Sequence, residues 1–293
     1  MPVIINDETK ILVQGMTGHQ GTFHSIAMME FGSKVVAGVV PGRGGDKVNG
    51  IRVFDTVSQA VRLTGADASV VFVPARNTRD AVIEALDGGI RTIVVISEHV
   101  PQHDSVLMIQ YAKLKGARIL GPNCPGLASP GRGKMGIMPN MIFKKGTTAV
   151  VSRSGTLTYE IVNELSESGV GQSTCVGIGG DPIIGTDFVD VLGMFQEDPE
   201  TESIVLVGEI GGTAEEEAAD FITRKVKKPV VAYITGRTAP PGKRMGHAGA
   251  IISRGKGTAG SKVSALMEAG VEVAKIPDEV PMLLKTAIRR KTA

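Results

Sequence analysis

KILVQGMTGHQGTFHSIAMMEF, residues 10–31, sets a short apolar run (Lys10 to Gln14), a glycine turn and a helix-spaced apolar pattern (Thr22 to Phe31) in immediate succession. Periodicity of that kind predicts a strand, a turn and a helix, the opening unit of an α/β sheet. Glycines let a backbone come close to a ligand, and the start of a helix offers unpaired N–H groups, so the turn can cradle a phosphate. Its glycines fall at 15, 18 and 21, a GxxGxxG rather than the dinucleotide pattern GxGxxG. A tight structural turn and a ligand site both remain open.

The alternation continues outward. A strand from Lys34 to Val40 runs into Pro41, Gly42 and Arg43, where a dinucleotide enzyme would place an acid for the ribose hydroxyls. This favours a phosphate-bearing ligand over NAD, against the plainer reading of Arg43 as a solvated loop arginine. Strands at Ala68–Val73, Arg91–Ile96 and Ala117–Leu120 alternate with helices at Arg76–Asp87 and Gln102–Lys115. Such a βαβ series predicts a right-handed, mostly parallel sheet covered by helices. Its strand ends carry Pro74, then Ser97 and Glu98, then GPNCPG from Gly121, all candidates for one ligand crevice. The Gly-, Pro- and Lys-rich stretch 121–146 marks a domain junction, with domains expected at 1–125 and 126–293. Cys124 lies within it, and as nothing nearby would lower its pKa the plainer reading is a buried, inert thiol.

A second series follows, with strands at Thr147–Val151, Ser173–Ile178, Ser203–Val207, Val230–Ile234 and Val271–Ala274. Between them lie helices from Thr156, Thr186, Thr213, Ala259 and Asp278. Ser154, Gly155 and Thr156 read as a capped helix start that could also hold an anion. Thr213 precedes Glu216 by three residues, a capping-box signature, and Glu215, Glu216 and Glu217 read as a solvated acidic run. Glu209 stands apart from that run, directly after a strand.

The loop GRTAPPGKRMGHAGAIISRGKG, residues 236–257, concentrates glycine, cations and an imidazole after the Val230–Ile234 strand. His247 there can act as base, ligand or nucleophile, and Lys243, Arg244, Arg254 and Lys256 could steady a polyanion. No second His or Cys stands at metal-ligand spacing. A phosphoryl group on His247 would need nearby N–H donors and an acid to orient the other ring nitrogen. The helix starts after Ser154 and Thr213, and Glu209, are the candidates for those roles.

Composition narrows the classes. In 293 residues, 32 basic and 30 acidic side chains leave a net charge of +2, which offers no bulk field for nucleic acid or membranes. Two cysteines without a partner at redox or metal spacing favour reduced thiols and a cytoplasmic setting. No apolar run approaches the roughly 20 residues of a membrane span.

Together the motifs QGMTGHQGTFH, PGRGG, GPNCPG, SRSGTLTYE, GQSTCVGIGGDP, GEIGGTAEEEAA, KPVVAYITG and GKRMGHAGAII resemble, over essentially the whole chain, the alpha subunits of succinyl-CoA synthetase, also called succinate–CoA ligase. The resemblance implies an N-terminal Rossmann-type CoA-binding domain and a flavodoxin-like domain with a mostly parallel sheet. It implies that His247 is transiently phosphorylated, with Glu209 as its carboxylate partner. CoA contacts would come from Thr17, Gly18, His19, Gln20, Arg43, Ile96, Ser97 and Glu98, with the thiol end toward Asn123 and Cys124. Ser154, Gly155 and Thr156 would hold phosphate, and Tyr159 would lie near the dicarboxylic acid at the subunit boundary. Arg43 occupies a place usually held by lysine, and His19 a variable one.

The implied reaction passes phosphoryl from a nucleoside triphosphate to His247, then to the acid, after which the CoA thiol displaces phosphate. The chain has no GxxxxGKS/T loop. The resemblance implies an ATP-grasp beta subunit that brings ATP or GTP and Mg2+, in an αβ or α2β2 assembly. The nearest alternative is the alpha subunit of malate–CoA ligase, from which GQSTCVGIGGDP leans away. A non-catalytic CoA-binding module would need neither His247 nor GHAGAII, and a NAD-dependent dehydrogenase lacks its acid after the second strand.

Overall fold

In a computed structural model the protein is described over residues 3–240, 242, 245–252 and 257–292. It divides into two compact units, one of Ile4–Asn140 with Ile183–Thr186, the other of Met141–Pro182 with the chain from Asp187 on.

The first unit runs β1 (Lys10–Gln14), α1 (His19–Glu30), β2 (Lys34–Val39), β3 (Lys47–Val48), β4 (Ile51–Phe54), α2 (Val57–Thr64), β5 (Ala68–Val71), α3 (Ala75–Asp87), β6 (Thr92–Val95), α4 (Gln102–Leu114), β7 (Arg118–Leu120), β8 (Gly126–Ser129) and β9 (Gly133–Gly136). Its sheet has the order β3-β4-β2-β1-β5-β6-β7, parallel except for the edge strand β3. Counting only the parallel strands in chain order gives 3-2-1-4-5-6, the Rossmann arrangement. Strands such as ASVV and TIVV are near-continuously apolar because helices cover both faces. Leu12, Val71, Ile93, Val95 and Met108 belong to the resulting core.

α1 begins at His19, three residues before the expected Thr22. Gly18 is its extended N-cap, and the Thr22 N–H already donates to the Gly18 carbonyl at 2.8 Å. Gly21 is thus a helical residue whose bareness serves packing: a Cβ there would lie 2.2 Å from the Gly15 carbonyl oxygen. The sequence reading assigned no element to 45–64, where β3, β4 and α2 form. Short strands carry too little periodicity to declare themselves, whereas α2 is marked by Thr56, whose side chain accepts from the Gln59 N–H at 3.3 Å, by Val57 and Ala60 at helical spacing and by the left-handed Gly65 at its end.

The antiparallel β8–β9 hairpin groups with the first unit, although the expected domain boundary at 125/126 precedes it. It is fastened there by polar contacts. Ser33 Oγ donates to the Lys134 carbonyl at 2.8 Å. The buried Lys134 ammonium donates to the Met138 carbonyl and to Asn140, whose amide in turn reaches the Ala27 carbonyl at the end of α1. Burial lowers the Lys134 pKa to about 8.

The second unit runs β10 (Lys145–Ser152), α5 (Gly155–Glu167), β11 (Gln172–Gly177), α6 (Phe188–Glu197), β12 (Ser203–Glu209), α7 (Ala214–Lys225), β13 (Val230–Thr235), α8 (Ala259–Glu268), β14 (Glu272–Ala274) and α9 (Val280–Thr292). Its five strands are parallel in the order β14-β13-β12-β10-β11. In chain order this is 2-1-3-4-5, the flavodoxin-like arrangement, with its switch point between β10 and β12. Ligands of such sheets bind beyond the strand ends at that point. Arg153 leaves β10 there, and Glu209 ends β12.

Candidate active site

His247 sits in the loop after β13, over the switch point. Its Nδ1 is 2.8 Å from Glu209 Oε2. The Glu209 side chain is only 5% exposed and that of His247 27%. The ring lies against Gly180, where a Cβ would fall 2.2 Å from the imidazole Cγ, so no other residue at 180 leaves the ring its place. The loop is pinned on both sides of the ring. The Gly249 N–H donates to the Gly180 carbonyl at 3.1 Å, and the Ala250 N–H to the His247 carbonyl at 3.1 Å. The bond to Glu209 raises the His247 pKa; burial and the Arg153 charge oppose it, and Asp181 adds to it.

Beneath this pair lies a buried cluster of charge that the sequence reading did not anticipate. Glu215, expected in a solvated run, is fully buried. Its Oε1 accepts from Arg153 Nη1 at 3.1 Å and from the Glu209 backbone N–H at 3.1 Å, while Oε2 meets the ammonium of Lys262, itself fully buried. Arg153 and Lys262 also both donate to the Gly211 carbonyl, at 3.1 and 3.0 Å. A legible signal did exist. Glu215 stands at helical spacing with the buried Ala218, Ala219 and Ile222, and Lys262 with Ala259 and Leu266. Both therefore point inward.

The expected capping box at Thr213 is not formed. Thr213 makes no side-chain cap bond, and its hydroxyl donates instead to Glu217 Oε1 at 2.8 Å. The acid at 216 turns to Ser261 and Lys262, so it cannot reach back to close the box. Ser154 does cap α5, accepting from the Leu157 N–H at 3.4 Å, with Gly155 and an exposed Thr156 in the first turn. Tyr159 is half-buried on the same helix. Lys243, Arg244, Arg254 and Lys256 lie outside the described residues.

In the first unit, Thr17 and Gly18 line a cavity of about 470 Å³ with Gly15, Pro41, Phe72 and Pro74, at the ends of β1, β2 and β5. This is that sheet's own switch point. No side chain caps α1, and the exposed His19 and Gln20 open the helix. Arg43 is exposed and its Nε donates to Asp46 at 2.6 Å. After β6, the Ile96 N–H donates to the Val71 carbonyl at 3.2 Å and Ser97 Oγ to the Val73 carbonyl at 2.5 Å; Glu98 is exposed. The Asn123 N–H donates to the Ser97 carbonyl at 3.0 Å, which brings the β6 and β7 ends together. Cys124 is buried, its thiol turned to the Val95 and Leu120 carbonyls. Cys175 is buried too, and desolvation raises its pKa, so it remains a thiol.

Two parallel sheets, one with a glycine-turn crevice and one with a carboxylate-held histidine, define a class, and family comparison gives its name. Residues 6–99 match the CoA binding domain family and residues 151–272 the CoA-ligase family. The chain is 57% identical over 97% of its length to succinate–CoA ligase [ADP-forming] subunit alpha 2 of Archaeoglobus fulgidus, covering 99% of that protein. It is 54% identical to the corresponding alpha subunit of Aquifex aeolicus, covering 97% of this chain and 95% of that one. The chain belongs to the succinate–CoA ligase alpha-subunit family. Among solved structures it resembles the ATP citrate lyase of Methanothrix soehngenii in complex with citrate and coenzyme A, with TM-score 0.89 and 27% identity over 98% of this chain. It spans about half the length of that lyase chain, 51%. Among the described residues no helix is long and apolar enough to cross a membrane.

Proposed function

We propose that this chain is the alpha subunit of a succinate–CoA ligase and that His247 is its phosphoryl carrier. The observation that carries the reading is the His247–Glu209 pair, set at the switch point of a sheet whose family is a CoA ligase. With Nδ1 committed to a carboxylate, the neutral ring presents a lone pair on Nε2. That nitrogen attacks the terminal phosphorus, the bridging P–O bond breaks to release the nucleoside diphosphate, and Glu209 then balances the positive charge that the ring acquires. The N-terminal N–H groups of α5, beyond the Ser154 cap, are the nearby anion donors that such transfers require. Phosphoryl passes from His247 to a carboxylate of the dicarboxylic acid, near which Tyr159 would lie.

The first unit fits CoA. Its crevice lies where a parallel sheet takes a phosphate-bearing ligand, and its helix start is uncapped and bare. Thr17, Gly18, His19, Gln20, Arg43, Ile96, Ser97, Glu98, Asn123 and Cys124 would surround it. CoA supplies the thiol that accepts the acyl group. The nucleotide and Mg2+ belong to a beta subunit of ATP-grasp type, and the ADP-forming names of the relatives favour ATP. Those relatives are succinate enzymes, which favours succinate over malate, and the His247–Glu209 pair argues against a non-catalytic module.

The complex co-purified with its beta subunit, incubated with γ-labelled ATP and Mg2+, is expected to yield an acid-labile phosphoprotein that discharges with succinate and CoA. His247→Asn should abolish the label, and its retention would exclude His247 as the acceptor. Assay with succinate, malate and related diacids tests the acid.

A further inference from the structure

The Glu209–His247 pair leaves one oxygen unaccounted for. Oε2 meets the ring, but the buried Oε1 has no hydrogen-bond partner among the described residues. Such an orphaned carboxylate oxygen is costly unless a charge lies near it. Arg153 Nη2 lies 3.4 Å away, and the Arg153 side chain is 7% exposed. The same Nη2 would be 2.9 Å from a Cβ at Gly249, so the guanidinium runs directly under the histidine loop. Its other nitrogen, Nη1, is held between Glu215 and the Gly211 carbonyl, and Lys262 holds Glu215 from the far side. Glu215 in turn grips the Glu209 backbone N–H and is accommodated only because residue 208 is glycine, where a Cβ would lie 2.6 Å from the Glu215 Cγ. Arg153 and Lys262 thus stand beside the buried carboxylates of Glu209 and Glu215, and the partly exposed Glu216 approaches Lys262 from the rim at 3.5 Å, so each buried carboxylate has a cation next to it.

We propose that Arg153, braced by Glu215 and Lys262, is the positioning residue of the pair: it fixes the Glu209 carboxylate so that Oε2 meets Nδ1 and the ring is held as the tautomer with Nε2 free. This rests on His247 being the phosphoryl acceptor, and it adds how the acceptor nitrogen is chosen. A free imidazole prefers its proton on Nε2, the tautomer that cannot attack from that atom, so the selection must come from outside the ring. Among the described residues, the charged groups that act on His247 are Glu209 from β12, Arg153 from the end of β10 and Asp181 from the loop after β11. Of these, only Arg153 contacts both Glu209 and the buried cluster beneath it.

The test is nitrogen NMR of the full chain, co-purified with its partner and labelled at histidine, with the His247 signal identified by its loss in His247→Asn. The wild type is expected to show predominantly the Nδ1–H form once the ring is neutral. Arg153→Met should move the ring toward the Nε2–H form, lower its titration midpoint because the weakened bond to Glu209 outweighs the loss of a nearby positive charge, and slow phosphohistidine formation by about tenfold or more. Arg153→Lys, which restores charge without the fork, should recover only part of the midpoint and of the tautomer preference. If Arg153→Met does not fold, Arg153→Met with Glu215→Gln removes one charge of each sign and carries the same expectation. A folded variant with unchanged tautomer and midpoint overturns the proposal. So do effects of Arg153→Met and Glu209→Gln that simply multiply, because residues acting as one unit are not additive. A wild-type complex that takes no label from ATP defeats the function above, and the ring's tautomer would still be readable.

Discussion

The two glycine-lined strand ends of this protein solve different problems. At the end of β1, backbone bareness does the work. Gly15 and Gly21 bring strand and helix together, the surrounding side chains are mostly half-buried or exposed, and among the described residues the partner of Arg43 is Asp46. At the ends of β10 and β12 the glycines at 180, 208 and 249 make room for charged side chains and a ring pressed into the interior. A site that only holds a ligand can leave its cations mobile in water and let the ligand organise them. A site that forms and breaks a bond must have its charges in place beforehand, in surroundings where solvent does not screen them.

If that contrast is right, the largest loss should come from the acid under the ring. Glu209→Gln keeps the shape but removes the charge that stabilises the phosphorylated ring, and phosphohistidine formation is expected to fall by about 100-fold or more. Single-turnover labelling of the complex measures it. The pH profile sharpens the same point. In the wild type, labelling should climb as pH rises through the His247 pKa, which lies above the ordinary 6.5, because only the neutral ring attacks. In Glu209→Gln the cause of the upward shift is gone while burial remains, so the midpoint should move to lower pH. A midpoint that stays in place would mean the carboxylate does not couple to the ring.

Gly180→Ala is expected to come next. The added methyl takes space occupied by the imidazole, and it is the ring that should yield. Labelling should fall by about tenfold or more with CoA affinity unchanged. Loss of CoA binding by isothermal titration would mean that the added methyl disturbs more than the ring.

Much of this was legible in the chain. The alternation of apolar runs and helical patterns gave both sheets because each strand is buried on two faces and each helix on one, so burial writes itself into periodicity. Glu209 stands out as a lone acid directly after a strand, and His247 as the imidazole of a loop rich in glycine and cations. What escaped was whatever depends on contact between distant segments. Arg153 carries no local signal of its own, and its partners lie 58 and 62 residues away. Glu215 was grouped with its neighbours in an acidic run, although helical spacing separates it from them. The capping box at Thr213 failed for the converse reason, a local rule overridden when Ser261 and Lys262 engaged Glu216.

Gly21→Ala probes the other side of the comparison. A methyl group 2.2 Å from the Gly15 carbonyl oxygen forces α1 off β1, at a cost of about 1–3 kcal/mol in stability. Thermal unfolding should register it and CoA titration should weaken, while labelling of His247 at a permissive temperature should persist. Labelling lost in parallel would erase the distinction between a site made of backbone and one made of charge.

Arg43→Ala should have the smallest effect and is the most discriminating. Arg43 and Asp46 are a solvent-exposed pair three residues apart, and such pairs contribute about 0–1 kcal/mol, so the unfolding temperature should barely move. If Arg43 turns from Asp46 to a CoA phosphate, its removal should raise the dissociation constant several-fold and flatten the salt dependence of binding. Asp46→Ala should then do the opposite, tightening binding by releasing the arginine from its competitor. The two substitutions act on one exposed cation from opposite sides. Opposite signs would identify a cation that its ligand recruits, whereas weakening by both would mean that the pair itself, like Arg153 with Glu215, is built in place before the ligand arrives.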